Sequence, residues 1–253
     1  MDEGSGPAAD VEKEASRVIS GARQGNVLVR LLGGAAVGMH RHVPLPAALQ
    51  RTYGDIDVVV KRGHDRALRR VLVELGYTPN TAFNNNHGDR RLLFYDEQHS
   101  RQLDVFIGAF RMCHELDLDD RLGLDPNTLA PADLLLTKLQ VVKINQKDIV
   151  DALALMLGHQ LKSGAGDVID LDRLIRVTSR DWGWYTTFTD NLAELAPAAA
   201  KILPRELSNQ VSDRVATIQK ALAAASKSLQ WKARSSVGRR VSWYELPEEV
   251  GRG

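Results

Sequence analysis

The spacing of the apolar residues changes at Asp125-Pro126, and this change limits the folds that the chain can adopt. Before this point, short apolar runs rich in β-branched residues alternate with helical patterns, which predicts an α/β unit. From Pro131 to about Trp231 the apolar residues repeat at helical spacing, and we expect four to six helices and no strands. The sequence therefore predicts an α/β core followed by an all-helical carboxy-terminal domain.

The length of the chain allows two domains with separate cores. It has 253 residues, of which 43% are hydrophobic and 26% charged, a composition typical of globular proteins. We place the boundary near Gly123 to Asn127. We expect a tail and a helix in residues 1–24, the α/β domain in residues 25–125 and the helical domain in residues 126–253.

Charge and cysteine content exclude several classes of protein. Lys and Arg number 33 against 32 Asp and Glu, so no overall field attracts nucleic acid or an anionic membrane. The lone Cys113 forms no internal disulfide, the amino terminus is acidic where a signal peptide is basic, and no run of about 18 apolar residues is present. We therefore expect a cytoplasmic protein with no membrane partner.

The amino-terminal half, residues 1–125, is expected to contain three helices and five strands. The expected helices are Val11 to Ala22, Ala35 to His42 and His64 to Leu75. The expected strands are Val27 to Leu32, Asp55 to Lys61, Tyr77 to Phe83, Arg91 to Tyr95 and Gln102 to Ile107, with a turn over Asn84 to Asp89.

Two carboxylates stand at the start of the β-branched segment DIDVVVK. Residues i and i+2 of a strand point to the same face, so Asp55 and Asp57 direct both carboxylates to one place. Two like charges on an otherwise buried strand are costly, because they repel and neither is well solvated. Since a divalent cation removes this cost, the pattern predicts a metal site.

A phosphate seat is predicted at Gly33-Gly34, where the first apolar strand turns into a helix. Glycine allows backbone N–H groups and a helix amino terminus to approach an anion closely, although the same pair also suits a simple tight turn. Arg51, a few residues before the acidic pair, is a further candidate for contact with phosphate.

A third carboxylate, Asp104, begins the apolar run that ends at Ile107. If its strand neighbours the strand of Asp57, three carboxylates share one site. Carboxylates without nearby His or Cys select a hard cation such as Mg²⁺, as one ion or two and with Mn²⁺ as a substitute, and substrate phosphates supply further ligands. A metal site beside a phosphate seat predicts phosphoryl or nucleotidyl transfer from a nucleoside triphosphate.

Lys138 occupies an inward position in the helical segment PADLLLTKLQVVK. A lysine there either extends its ammonium to the rim or directs it to an anion such as a triphosphate. In the next helix, Lys147 and Asp151 stand four residues apart. This spacing suits a surface ion pair on an amphipathic helix as well as it suits a functional motif.

These segments resemble the nucleotidyltransferase superfamily, whose core has a Gly-Gly or Gly-Ser turn, an acidic pair on the following strand and a third acid on a later strand. LLGGAAVGMH, RTYGDIDVVV and RQLDVFIG correspond to the three pieces. The resemblance implies a mixed β-sheet core in which Asp55 and Asp57 bind the metals and Gly33 and Gly34 hold the triphosphate. It also implies that Asp104 helps to bind one metal and orients or deprotonates the acceptor hydroxyl.

A lysine after the core, followed by a K/R-D-x-x-D helix, is similar to AbiEii-type nucleotidyltransferases. This family includes toxins of bacterial type IV toxin–antitoxin pairs and the related MenT toxins. The resemblance covers roughly residues 27 to 160 and implies site roles for Lys138 and Asp148. It implies the 3′ end of tRNA or a protein side chain as acceptor, and an antitoxin as partner. The family often has Thr or Ser two residues before the acidic pair, where this chain has Tyr53.

Two alternatives remain open. Small-molecule nucleotidyltransferases that inactivate aminoglycosides or lincosamides share the core and carry helical carboxy-terminal domains. A catalytically inactive nucleotide-binding or interaction module is the second alternative. It has no reason to retain three mutually repelling carboxylates.

Overall fold

The computed structural model describes residues 6–41 and 44–246, so the first residues of the expected tail and the expected helix end at His42 lie outside the description. The described residues form two compact units. The first unit contains residues 6–40, Arg51–Phe110 and Asp117–Leu129, and the second contains the described parts of 41–50, Arg111–Leu116 and 130–246.

The first unit contains a five-stranded sheet. Its strands are β1 (Val29–Leu32), β2 (Ile56–Val60), β3 (Thr78–Pro79), β4 (Arg91–Asp96) and β5 (Arg101–Ile107). They are arranged in the order β1-β2-β5-β4-β3, with β2 and β5 parallel and the other neighbours antiparallel. The most continuous apolar runs belong to β2 and β5 and take inner positions, as expected for strands covered on both faces. The α/β prediction with a mixed sheet is confirmed.

Four helices belong to this unit: α1 (Val11–Gln24), α2 (Gly33–Met39), α3 (Asp65–Glu74) and α4 (Thr81–His87). α1 begins where the Asp10 side chain accepts a hydrogen bond from the backbone N–H of Lys13 at 2.8 Å. α3 buries Leu68 and Leu72, which are four residues apart and so share one face.

The expected strand from Tyr77 to Phe83 is wrong beyond Pro79, and the expected turn after it is largely helical. Asn80 caps α4 by accepting a hydrogen bond from the backbone N–H of Phe83 at 3.0 Å. Asn84, within the helix, is buried and bonds both backbone groups of Leu93, at 2.7 and 3.1 Å. These amide contacts stabilise the helix against β4, and they depend on a strand distant in sequence.

The rest of the described residues, up to residue 246, form six α-helices and four short strands. Strands β6 (Ala109–Arg111) and β7 (Glu115–Asp117) form one two-stranded sheet. The second unit then contains α5 (Pro131–Leu139), α6 (Gln146–Gly158), β8 (Gln160–Lys162), β9 (Val168–Asp170), α7 (Leu171–Thr178), α8 (Trp182–Ile202), α9 (Arg205–Ala224) and α10 (Leu229–Val237). The six helices agree with the expected number. The expectation of no strands in this region was wrong, because β8 and β9 form a parallel pair.

None of the helices in residues 6–41 and 44–246 combines the length and the apolar character needed to span a membrane.

Candidate active site

The Gly33-Gly34 turn lies directly against the strand that carries the acidic pair. β1 ends at Leu32, which is paired in register with Asp57, and α2 begins at Gly33. Gly33 has a φ of +69°, and a Cβ there would lie 2.0 Å from Oδ2 of Asp57. A Cβ on Gly34 would lie 2.5 Å from Cδ1 of Tyr53. Both glycines therefore let the backbone approach this segment more closely than any other residue permits.

Asp57 and Asp104 lie side by side on β2 and β5. The parallel register pairs them directly, so both side chains are on the same face of the sheet. Asp104 is buried and Asp57 is half-buried, whereas Asp55 immediately precedes β2 and is exposed. The structure brings Asp57 and Asp104 together and places Asp55 at the exposed approach to the same strand.

Arg91 and Gln102 bind the third acid, and the sequence analysis did not identify either of them. Nε and a terminal nitrogen of Arg91 lie 2.8 and 2.7 Å from Oδ1 of Asp104, and the Gln102 amide donates to Oδ2 at 2.6 Å. The register places all these residues on the face that carries Asp57. Arg91 and Gln102 stand at or near the start of their strands, where a polar residue is ordinary, so the sequence carries no sign of this contact.

Arg51 lies beside the glycine turn through an aromatic contact. Its guanidinium is 4.9 Å from the ring centre of Tyr53, the residue whose ring abuts Gly34. This stacking is a cation–π contact, which helps to hold the arginine beside the turn. Tyr53 thus fills the position where Thr or Ser was expected and contributes to the wall of the turn.

Lys138 and Asp148 are brought together within the second unit. The Lys138 ammonium on α5 lies 3.1 Å from Oδ1 of Asp148 and 2.9 Å from Oδ2 of Asp151, both on α6. Burial alone would lower the pKa of Lys138, but the attraction of Asp151 and Asp148 raises it above its ordinary value. Asn145 caps α6 and donates to the second oxygen of Asp148 at 2.8 Å. Lys138 is therefore a paired, buried cation, and Asp151 is a partner that the sequence analysis assigned to Lys147.

The register brings two carboxylates together beside the glycine turn, and their chemistry suits a hard divalent cation. Asp55, Asp57 and Asp104 offer only carboxylate oxygens, the ligand type that Mg²⁺ prefers. The space that a Cβ on Gly33 would need is occupied by Oδ2 of Asp57, so the backbone of the turn passes directly beside this carboxylate. The arrangement combines a negatively charged pair with backbone donors at an adjacent turn, which is suited to holding a metal and a phosphate together.

Comparison with known proteins gives a family and several distant structures. The lincosamide antibiotic adenylyltransferase LnuA, in a lincomycin-bound structure, is 16% identical, covers 58% of this chain and 96% of its own, and has a TM-score of 0.43. The antibiotic-resistance factor ANT(2'')-Ia is 12% identical over 56% of this chain and 80% of its own, with a TM-score of 0.40. An antigenic nucleotidyltransferase-like protein from Paracoccidioides brasiliensis is 14% identical over 88% and 96%, with a TM-score of 0.43.

No curated protein sequence gives a significant match. The family described as uncharacterised nucleotidyltransferase matches residues 8–200, well over half of the chain. This match includes the glycine turn, the acidic residues, Lys138 and Asp148. The chain belongs to this family and is a nucleotidyltransferase.

Proposed function

We propose that this enzyme moves a nucleoside monophosphate from a magnesium-bound nucleoside triphosphate to a hydroxyl acceptor. The observation that carries the proposal is the register of Asp57 with Asp104 beside the Gly33 turn. Two carboxylates on neighbouring strands repel each other, and a cation that binds both removes the repulsion. The adjacent turn would present backbone N–H groups to the phosphates of the same substrate.

We assign the metal-binding role to Asp55, Asp57 and Asp104, with Mg²⁺ as one ion or two and Mn²⁺ as a substitute. When bound, Mg²⁺ neutralises charge on the triphosphate and on the departing pyrophosphate. Gly33 and Gly34 would bind the triphosphate through the backbone. Arg51, stacked on Tyr53 beside the turn, would add a side-chain contact to phosphate.

In the proposed reaction, the acceptor oxygen forms a bond to the α-phosphorus, and the bond from that phosphorus to the bridging oxygen breaks. Pyrophosphate leaves with the bonding electrons. The hydroxyl proton passes to a carboxylate, for which Asp104 is the candidate, and then to solvent. Because Arg91 and Gln102 hold Asp104 in place, its carboxylate is oriented before the acceptor arrives.

Lys138 and Asp148 are proposed to act as a coupled pair. Lys138 would bind the triphosphate, and Asp148 would keep the ammonium charged and oriented. The contacts of Lys138 with Asp148 and Asp151 support this pairing, because both carboxylates favour the charged form of the lysine.

We propose further that the enzyme is an AbiEii-type toxin with a cognate antitoxin, and that it acts in the cytoplasm on the 3′ end of an RNA such as tRNA, or on a protein. The order of the glycine turn, the acidic pair, the lysine and the K-D-x-x-D helix supports this subfamily. This part of the proposal rests on the resemblance, because folds do not determine acceptors.

The test uses each of the four nucleoside triphosphates, labelled at the α-phosphorus, with total cell RNA and total cell protein. We expect label in one of these fractions, with release of pyrophosphate, and none with the Asp57→Asn variant. Pyrophosphate release only with added aminoglycoside or lincosamide would replace the toxin assignment by the small-molecule one. Nucleotide binding without turnover on any acceptor would identify an inactive module and reject the proposal.

A further inference from the structure

Arg91 is fixed more firmly than an ordinary surface arginine. Its side chain is 13% exposed, and its guanidinium lies 5.6 Å from the ring centre of Phe83 and 5.2 Å from that of Phe106. Its Nε and one terminal nitrogen both lie within hydrogen-bond distance of the same oxygen of Asp104, Oδ1. Aromatic rings and a buried carboxylate together hold the cation in one place.

This position places a permanent positive charge beside the proposed metal site. Asp104 is in register with Asp57, and Arg91 is on the same face, one strand further along the sheet. An arginine does not lose its proton at physiological pH, so the charge does not adapt to a second cation. A bare divalent ion that binds Asp57 and Asp104 therefore competes with Arg91 for Oδ1 and is repelled by it.

The charge of Arg91 acts differently on a metal ion that is already bound to a nucleotide. A nucleoside triphosphate carries more negative charge than one divalent cation neutralises, so the complex is an anion. The same guanidinium that repels the bare ion attracts this complex.

We propose that Arg91 is a resident counter-cation of the acidic pair that makes the site select metal–nucleotide complexes over free divalent ions. The inference rests on the proposed function, because it takes Asp57 and Asp104 as metal ligands. Arg91 acts through Asp104 and is a positioning residue for the nucleotide-borne metal. In the metal-free enzyme its two contacts with Oδ1 hold the Asp104 side chain in one orientation.

The test measures Mn²⁺ affinity by electron paramagnetic resonance, first for Mn²⁺ alone and then with the α,β-methylene analogue of each nucleoside triphosphate. We expect Arg91→Met to tighten binding of Mn²⁺ alone by on the order of tenfold, because a charge this close changes a carboxylate's affinity for a cation by at least that factor. Binding of Mn²⁺ with the analogue should not tighten. Arg90→Met removes the same charge at an exposed neighbour and should leave both affinities at the wild-type values.

The outcomes distinguish failure of the inference about Arg91 from failure of the proposed metal site. Affinity for Mn²⁺ alone that is no tighter in Arg91→Met than in Arg90→Met overturns the inference while the proposed function stands. If the wild type takes up Mn²⁺ neither alone nor with any analogue, the proposed metal site fails, and the inference fails with it.

If Arg91→Met does not fold, a measurement on the wild-type protein tests the inference instead. The Nε–H signal of Arg91 in a nitrogen–proton correlation spectrum is identified by its loss in Arg91→Lys. We expect this signal to shift when Mg²⁺ and the bound analogue saturate the protein. A signal that stays in place at saturation overturns the inference.

Discussion

Replacing Gly33 by alanine separates backbone strain from the close approach to Asp57. Gly33 and Gly63 both have left-handed φ values, +69° and +83°, at which a non-glycine residue costs about 1–2 kcal/mol. A Cβ on Gly63 meets no atom within 4 Å, whereas on Gly33 it would lie 2.0 Å from Oδ2 of Asp57. Since real Cβ contacts are not found below 3.0 Å, Asp57 or the turn must move by at least 1.0 Å.

The two alanine variants should therefore differ in activity as well as in stability. A displacement of about 1 Å at a reacting centre costs on the order of 100-fold in rate. We expect Gly63→Ala to lose about 1–2 kcal/mol in urea unfolding, and Gly33→Ala to lose on the order of 1–3 kcal/mol more, because it must also relieve the contact with Asp57. Only Gly33→Ala should lose about 100-fold of label transfer from α-labelled nucleotide. Gly33→Ala with the activity of Gly63→Ala would refute the role of the turn in placing Asp57.

Two further predictions concern buried charge in the second unit. Lys138→Met leaves Asp148 and Asp151 without their cation, so we expect a loss of about 3 kcal/mol in urea unfolding at neutral pH. Because the folded pKa of Lys138 is raised, the stabilisation from this lysine is complete below its unfolded pKa and is lost as pH rises through its folded pKa. The stability difference between Lys138→Met and the wild type should therefore shrink at high pH. A difference that stays the same there would contradict this prediction. Burial lowers the pKa of His114 to about 4, so wild-type stability should decrease as the pH falls from 6.5 towards 4, and His114→Gln should remove this decrease. A variant with the same pH dependence as the wild type would show that another group titrates.

The sequence predicted the parts of the site that depend on local pattern. The β-branched segment after Asp55 identified β2, and the apolar run after Asp104 identified β5, because continuous apolar strands belong at inner positions of a sheet. The proximity of Asp57 to Asp104 depended on one condition, that these strands are neighbours, and the register satisfies it.

The missed features depend on contacts between segments distant in sequence. Arg91 binds Asp104 because β4 pairs with β5, and nothing in the segment RLLFYD indicates that partner. Asn84 was assigned to a turn because asparagine favours turns, but its side chain bonds the backbone of Leu93 and belongs to a helix. The glycine pair was interpreted as a phosphate-binding turn or a simple tight turn, whereas the approach of Gly33 to Asp57 became visible only in three dimensions.

The most direct test of the account is the position of manganese in crystals grown with Mn²⁺ and an α,β-methylene nucleoside triphosphate. An anomalous difference map should contain a manganese peak coordinated by the carboxylates of both Asp57 and Asp104, and this peak should be lost in Asp57→Asn. A map in which manganese binds neither carboxylate, or lies only at another place on the protein, would contradict the claim that these two acids hold the metal of a nucleotidyltransferase.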